Sequence, residues 1–285
     1  MRHPENLRGI ILMTLAMALF AAEDLFLKLA AQTLPTGEIL LITALGGTAF
    51  FAALAKSRGQ SLTRGFLHPA ILARNAGEMI GTLAYMTALA SVPLATVSSI
   101  LQAMPMVAAL GAALFLREAV PLRRWLAIGA GFAGVLLIIR PGMAGFDPLA
   151  LWVLVSVAGL ALRDLAARKI PAEITTEQVT TWGVASIILL GAAMIPFQGF
   201  QTPTLAQSLS LAGSITFGTA GYWAVTQATR IGDVSVVAPF RYFRLLFALV
   251  VGLAFFAEVP DALTLTGAGL IIGAGLVGVL AERRR

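Results

Sequence analysis

Residues 88–118 read ALASVPLATVSSILQAMPMVAALGAALFLRE, and residues 228–258 read ATRIGDVSVVAPFRYFRLLFALVVGLAFFAE. Both stretches begin on small residues, carry a central proline and run apolar to a closing Phe-x-x-Glu. The first ends at Glu118 and the second at Glu258, an offset of 140 residues. The same offset places Asp24 on Asp164, Leu25 on Leu165, Thr36 on Thr176, Gly81 on Gly221, Phe115 on Phe255 and Gly129 on Gly269. No gap is needed. The chain is therefore read as two copies, residues 1–140 and 141–285.

The 285 residues are 58% hydrophobic and 12% charged. Soluble domains have about 25% charged residues, so lipid is the expected solvent for most of this surface. A spanning helix needs about 20 apolar residues. Ten segments qualify: 8–31, 36–55, 67–90, 95–116, 122–139, 149–168, 177–197, 206–229, 234–257 and 262–281. With five spans per copy, the second copy enters the membrane inverted. The expected fold is an all-α integral membrane protein of ten transmembrane helices in two inverted five-helix repeats. Inverted repeats characterise alternating-access transporters, with the substrate site at mid-membrane between the copies.

Lys and Arg collect on one side. They include Arg2 and Arg8 before span 1, Lys56, Arg58 and Arg64 after span 2, and Arg117, Arg123 and Arg124 after span 4. Arg168 and Lys169, Arg230, and Arg283 to Arg285 continue the pattern, whereas the other side has Arg140 and the nearby Lys28. The positive-inside bias makes the first side cytoplasmic, with both termini there. The expected location is the inner, cytoplasmic membrane. The formal charge of +6 thus marks loops and not a nucleic-acid surface. The chain has no Cys, which excludes thiolate chemistry, and its two histidines lie at span edges. Neither a metal nor a cofactor is expected, and no nucleophile–base pair points to an enzyme.

With the repeat and spans established, the chain resembles the drug/metabolite transporter superfamily, in its EamA-type branch, along its whole length. The carrying residues are the two quoted stretches, although Pro239 does not fall on Pro105. The resemblance implies a secondary transporter of small metabolites, often an amino-acid exporter, without cofactor or ATP site. It leaves open an S-adenosylmethionine or nucleotide-like metabolite carrier, and a lipid-headgroup flippase.

Ionisable residues inside a span cost about 2.5–3.5 kcal/mol each on insertion scales and are functional candidates. They are Glu23, Asp24 and Lys28 in span 1, Arg74 and Glu78 in span 3, Arg163 and Asp164 in span 6, and Arg241 and Arg244 in span 9. Glu78, Tyr85, Gln102, Tyr222, Trp223, Arg241 and Arg244 are read as lining a central cavity for a solute with a carboxylate and an apolar body. Arg241 and Arg244 are the expected carboxylate clamp. Glu78 or Glu23 is expected to meet an amine or to carry a coupling proton, and Arg74 is four residues from Glu78 and able to neutralise it. Asp24 with Lys28, and Asp164 with Arg168, are one device repeated at the two mouths, with Glu23, Arg74 and Arg163 assigned to gating or coupling beside them. Glu118 and Glu258 are expected to cap the span that follows each. Small residues in spans 5 and 10 (Ala127, Gly129, Gly131, Gly134, Gly267, Gly269, Gly273 and Gly275) fit packing within the molecule or a homodimer seam, so the chain is a monomer or a homodimer. The expected partners are a small-molecule solute and the lipid bilayer.

Overall fold

The computed structural model describes residues 3–63, 65–115, 122–143, 145–232 and 234–282, and all regular structure among them is helical. The helices are α1 (His3–Ala31), α2 (Thr36–Ser57), α3 (Pro69–Leu89), α4 (Leu94–Leu101), α5 (Met104–Phe115), α6 (Leu122–Ile139) and α7 (Leu151–Ala167) in the first part. They continue as α8 (Thr176–Gln198), α9 (Leu205–Ile231), α10 (Val234–Val237), α11 (Phe243–Phe256) and α12 (Ala262–Glu282). Span 4 is α4 with α5. Span 9 is α10, a 3-10 segment (Ala238–Tyr242) and α11. Glu118, Arg2, Arg64, Arg117 and Arg283 to Arg285 lie outside the described residues.

Among the described residues six spans are long and apolar enough to cross a membrane: Glu5–Ala31, Thr36–Ser57, Leu94–Phe115, Pro148–Ala167, Thr176–Gln198 and Ala238–Phe256. Trp125–Ile139 and Ala262–Val277 are shorter apolar helices. The remaining two, α3 and α9, carry more polar residues, as expected of helices that face a wet interior.

Both broken spans break at proline. Pro105 has no N–H, so the carbonyl of Leu101 loses its helical donor. The chain tightens there instead, with Gln102 N donating to Ser99 O and Ala103 N to Ile100 O. Pro239 starts the 3-10 segment of span 9 in the same way. Freed backbone of this kind is tolerated at membrane depth only where protein or a cavity surrounds it.

The packing is almost wholly between the two copies. α1 lies on α9, α3 on α7, α2 on α8, α6 on α12 and α4 on α11. Exchanging each span with the one five places on swaps the first two pairs and returns the other three to themselves. The crossing points agree in register as well. A Cβ at Gly81 would meet Leu160, and one at Gly221 would meet Phe20; residues 81 and 221, and 160 and 20, are related by the same offset of 140.

Glycine makes these crossings possible. A Cβ on Gly159 would sit 2.6 Å from Gly81 N and 3.0 Å from Gly77 O. One on Gly134 would sit 2.6 Å from Gly267 O. Lipid offers no hydrophobic drive between helices, so such backbone approach is what holds them. The small residues of spans 5 and 10 therefore divide. Gly131, Gly134, Gly267 and Gly275 pack inward, whereas Gly129, Gly269 and Gly273 have nothing within 4 Å of a Cβ.

Two ends of the bundle are tied by polar contacts. At the end where α1 begins, Glu177 at the start of α8 takes Arg58 and lies 3.6 Å from Arg230. At the other end Gly37 N donates to Gln198 Oε1 at 2.8 Å, and Gln201 N to Glu38 Oε2 at 3.0 Å. Arg140 also bonds Asp261 there. That bond, with the Thr264 amide, holds the Asp261 carboxyl well below the ordinary carboxylate range. A depressed acid contributes its tie above its unfolded pKa of about 3.9 and loses it only as pH falls further, so this tie persists at neutral pH.

Candidate functional site

Between the two copies lies a cavity of about 290 Å3, walled by α1, α2, α3, α7, α8, α9 and α11. Glu23, Asp24, Arg74, Glu78, Tyr85, Arg163, Tyr222 and Arg244 all line it. Its apolar walls include Phe20 and Phe51. Gln102, Trp223, Arg241, Lys28, Asp164 and Arg168 do not line it.

Of the two arginines expected to clamp a carboxylate, Arg244 lines the cavity and Arg241 does not. Arg244 stacks over the Phe20 ring, 5.3 Å from its centroid, and reaches across to α1. There its Nη2 donates to both oxygens of Asp24 at 2.9 Å, and Tyr85 Oη donates to the same carboxylate. Asp24 is 1% exposed, so the pair is desolvated and its geometry closely fixed. Arg241 sits one turn away in the 3-10 segment, is exposed, and lies within electrostatic reach of Asp164 and Arg163. Gln102, in the turn between α4 and α5, donates to the Arg241 carbonyl at 3.3 Å and so joins the two broken spans. Trp223 follows Tyr222 in sequence but points to the outer surface, 46% exposed.

The second charged group runs from α3 to α7. Arg74 Nη2 and Glu78 Oε2 are 2.7 Å apart, the expected pairing four residues along one helix. Arg163 Nη1 approaches Glu78 Oε1 at 3.3 Å, and Arg163 Nε binds Asp164 at 2.9 Å. Gly183 on α8 leaves room for the Arg74 guanidinium, which a Cβ there would overlap. Thr180 and Tyr222 share a hydrogen bond across the cavity wall, and Tyr222 stands edge-on to Phe51 with centroids 4.9 Å apart. Thr180, Ser214 and Gly218 were not singled out from sequence. Ser214 and Gly218 are the offset partners of Arg74 and Glu78, which is the signal that could have found them.

Asp24 and Lys28 do not pair with one another. Lys28 binds the Val92 carbonyl at 2.8 Å and the Glu258 carboxylate. Glu258 Oε2 accepts from Leu94 N at 2.6 Å, so this acid caps α4 and not the span that follows it. Ala257, at φ 51°, turns the chain so that Glu258 folds back over α11. One side chain thereby joins α1, α4 and α11 at one mouth. Glu258→Gln weakens this tie and is expected to raise labelling of a cysteine placed at Leu27, from that side. Labelling equal to that of the parent cysteine variant would mean the tie is not a gate. Arg168 is the C-cap residue of α7; the offset relates it to Lys28 and relates Glu258 to Glu118, which is outside the described residues.

Among the described residues no group of three His, Cys, Asp or Glu could hold a metal. The arrangement is a partly open, charge-lined chamber, suited to binding and releasing a solute.

Comparison with known proteins agrees with this geometry. The model of the EamA-like transporter family matches residues 7–140 and again 148–280. A pseudopaline exporter, CntI, of Pseudomonas aeruginosa is 28% identical over 266 residues, 93% of either chain. A riboflavin transporter of Rhizobium johnstonii is 30% identical, covering 72% of this chain and 68% of its own. An S-adenosylmethionine uptake transporter of Rickettsia bellii is 25% identical, covering 78% and 75%. A solved crystal structure, 20% identical, superposes over all of this chain and 99% of its own with a TM-score of 0.65, a likeness of fold. A family model met once in each copy, on a bundle whose copies pack against each other around one chamber, has one reading. The chain belongs to the EamA-like transporter family, a multi-pass membrane protein that transports small molecules and is not an enzyme.

Proposed function

We propose that the chain is a secondary exporter of a small zwitterionic or anionic metabolite, an amino acid first, working by alternating access through the central cavity. The observation that carries this is the chamber itself. Its volume of about 290 Å3 lies at the small end of ligand pockets, about 300–1,000 Å3. It holds three arginines beside an aromatic wall. Arg244, Arg74 and Arg163 are the cations available to a solute carboxylate, each now held by a protein acid that the solute would partly replace. Glu78 or Glu23 meets the solute amine or carries a coupling proton, and of the two Glu23 has no ion pair among the described residues.

The aromatic pair Phe51 and Tyr222, together with relatives named for S-adenosylmethionine uptake, favours a second reading. In it the solute is a nucleoside-bearing metabolite whose ring stacks on that wall.

Orientation follows the basic loops: termini cytoplasmic, inner membrane. Reporter fusions after Gln60, Gln201 and Arg285 should signal cytoplasm, exterior and cytoplasm; an exterior signal at Gln60 would overturn this. For the solute, thermal stabilisation of purified protein by a metabolite panel selects candidates, and counterflow in proteoliposomes tests them. Amino acids should drive counterflow, and a pH gradient should alter its rate. If nucleosides or S-adenosylmethionine move and amino acids do not, the second reading replaces the first.

A further inference from the structure

The repeat makes an internal control available at the cavity. The offset of 140 carries Glu78 onto Gly218, Arg163 onto Glu23, Arg74 onto Ser214 and Thr82 onto Tyr222. These residues sit at the two crossings that the repeat exchanges, α3 on α7 and α1 on α9, and the crossings coincide in register at Gly81 and Gly221. At the first crossing Glu78 lies between Arg74 and Arg163, and every charge has an opposite charge within 3.3 Å. At the second crossing Glu23 stands where the first has a guanidinium. The position of its counter-ion is a glycine: a Cβ on Gly218 would come 2.7 Å from the Glu23 Cδ. The repeat thus conserves the place for an ion pair and supplies only one of the two ions.

The neighbours of Glu23 do not make up the loss. Arg244 is committed to Asp24 through Nε and Nη2. Tyr85 donates to Asp24 as well. From α9, Ser214 donates to the Leu211 carbonyl and Thr219 to the Ile215 carbonyl, and Tyr222 shares its hydroxyl with Thr180. Among the described residues the Glu23 carboxyl has no hydrogen bond and no ion pair, though it lines the cavity. Arg244 acts on Glu23 only at a distance, and the like charge of Asp24 lies beside it. Holding a carboxylate without a bonded partner in a membrane is costly, and a cation delivered from the cavity offsets that cost.

We propose that Glu23, with Gly218 facing it and Ser214 lining the same cavity, is the subsite for a cationic nitrogen of the solute, a primary ammonium group. Three N–H donors meet the carboxylate oxygens and the spare lone pairs of the Ser214 and Thr219 hydroxyls, whose protons are already spent on backbone carbonyls. Glycine at position 218 gives the ammonium its room. The solute supplies at the second crossing the counter-ion that the protein supplies at the first, with the signs of the two ions exchanged. This rests on the carrier reading and narrows it: the solute bears an amine, placed against α1 and α9, with its anionic end towards the arginines.

Butylammonium and its neutral counterpart 1-butanol are the probes, titrated against purified protein in nanodiscs at constant potassium chloride. Wild type is expected to bind butylammonium at least about tenfold tighter, the low end for a desolvated charge pair. Glu23→Gln removes that preference, Glu23→Asp retains part of it, and Asp261→Asn, an acid outside the cavity, leaves it in place. Equal binding of the two probes by wild type overturns the subsite, and so does a preference that survives Glu23→Gln or vanishes in Asp261→Asn. Proteoliposome flux of the metabolite panel separates this from the carrier reading. An ammonium preference without flux of any solute defeats that reading and leaves the subsite. Flux of anions alone, with no ammonium preference, defeats the subsite and leaves the carrier.

Discussion

Arg244→Ala is expected to abolish transport and to destabilise the protein by about 3–5 kcal/mol, the cost of leaving one member of a buried pair uncompensated. The stranded group is Asp24, fully enclosed and also the acceptor of the Tyr85 hydroxyl. Polar contacts between membrane helices average only about 0.6 kcal/mol in double-mutant cycles. The two figures differ because those cycles measure coupling, whereas a lone carboxylate must also bear its own desolvation. Pairing Arg244→Met with Asp24→Leu should therefore restore most of the stability, since apolar replacement of a whole buried pair is close to neutral. It should not restore transport. Thermal unfolding in detergent and counterflow on the same preparations read both parts. Transport by Arg244→Ala at the wild-type rate would remove this residue from the solute path.

Gly159→Ala is expected to lower stability by about 1–3 kcal/mol, an overpacking cost. The added methyl meets only backbone, Gly81 N and Cα and Gly77 O, so no side chain can rotate away. Gly218→Ala is a different case, because the atom it meets is the movable end of Glu23. Gly129→Ala and Gly269→Ala serve as controls. Nothing lies within 4 Å of either Cβ, and a helical Gly→Ala change in open space gains up to about 1 kcal/mol. If Gly159→Ala and Gly269→Ala unfold at the same temperature, close backbone approach is not what joins α3 to α7.

Much of the fold was legible because membrane spans have few ways to end. Span 2 was read as 36–55 and is Thr36–Ser57; span 7 was read as 177–197 and is Thr176–Gln198. The breaks in spans 4 and 9 followed from Pro105 and Pro239. Charge inside lipid is so costly that Glu23, Asp24, Arg74, Glu78, Arg163 and Arg244 had to collect somewhere, and they line one cavity. What sequence withheld was the choice of partner. Arg74 with Glu78 is a local pair and readable from spacing, whereas Asp24 and Arg244 are 220 residues apart. Spacing put Arg241 about one turn nearer the cytoplasm than Arg244 but not where the cavity stops, which is between them. Trp223 was grouped with Tyr222 by adjacency, although neighbouring residues on a helix point about 100° apart. Spacing put Asp24 and Lys28 on one face, as it did Arg74 and Glu78, but not which neighbouring helices they reach: Asp24 meets Arg244, and Lys28 meets the Glu258 carboxylate brought over by the turn at Ala257.

The pairing of helices bears on how such a chain can be made. Every principal contact joins an early span to a late one: α1 waits for α9, α2 for α8, α3 for α7 and α6 for α12. During synthesis the first five spans enter the bilayer with their glycine seams facing lipid and Asp24 and Glu78 without the arginines of α7 and α11. Insertion and folding are thus separated in time, and the nascent half must persist as a loose, charge-bearing intermediate until its inverted twin arrives. A premature stop anywhere in the second copy would leave that half with surfaces that quality control can recognise.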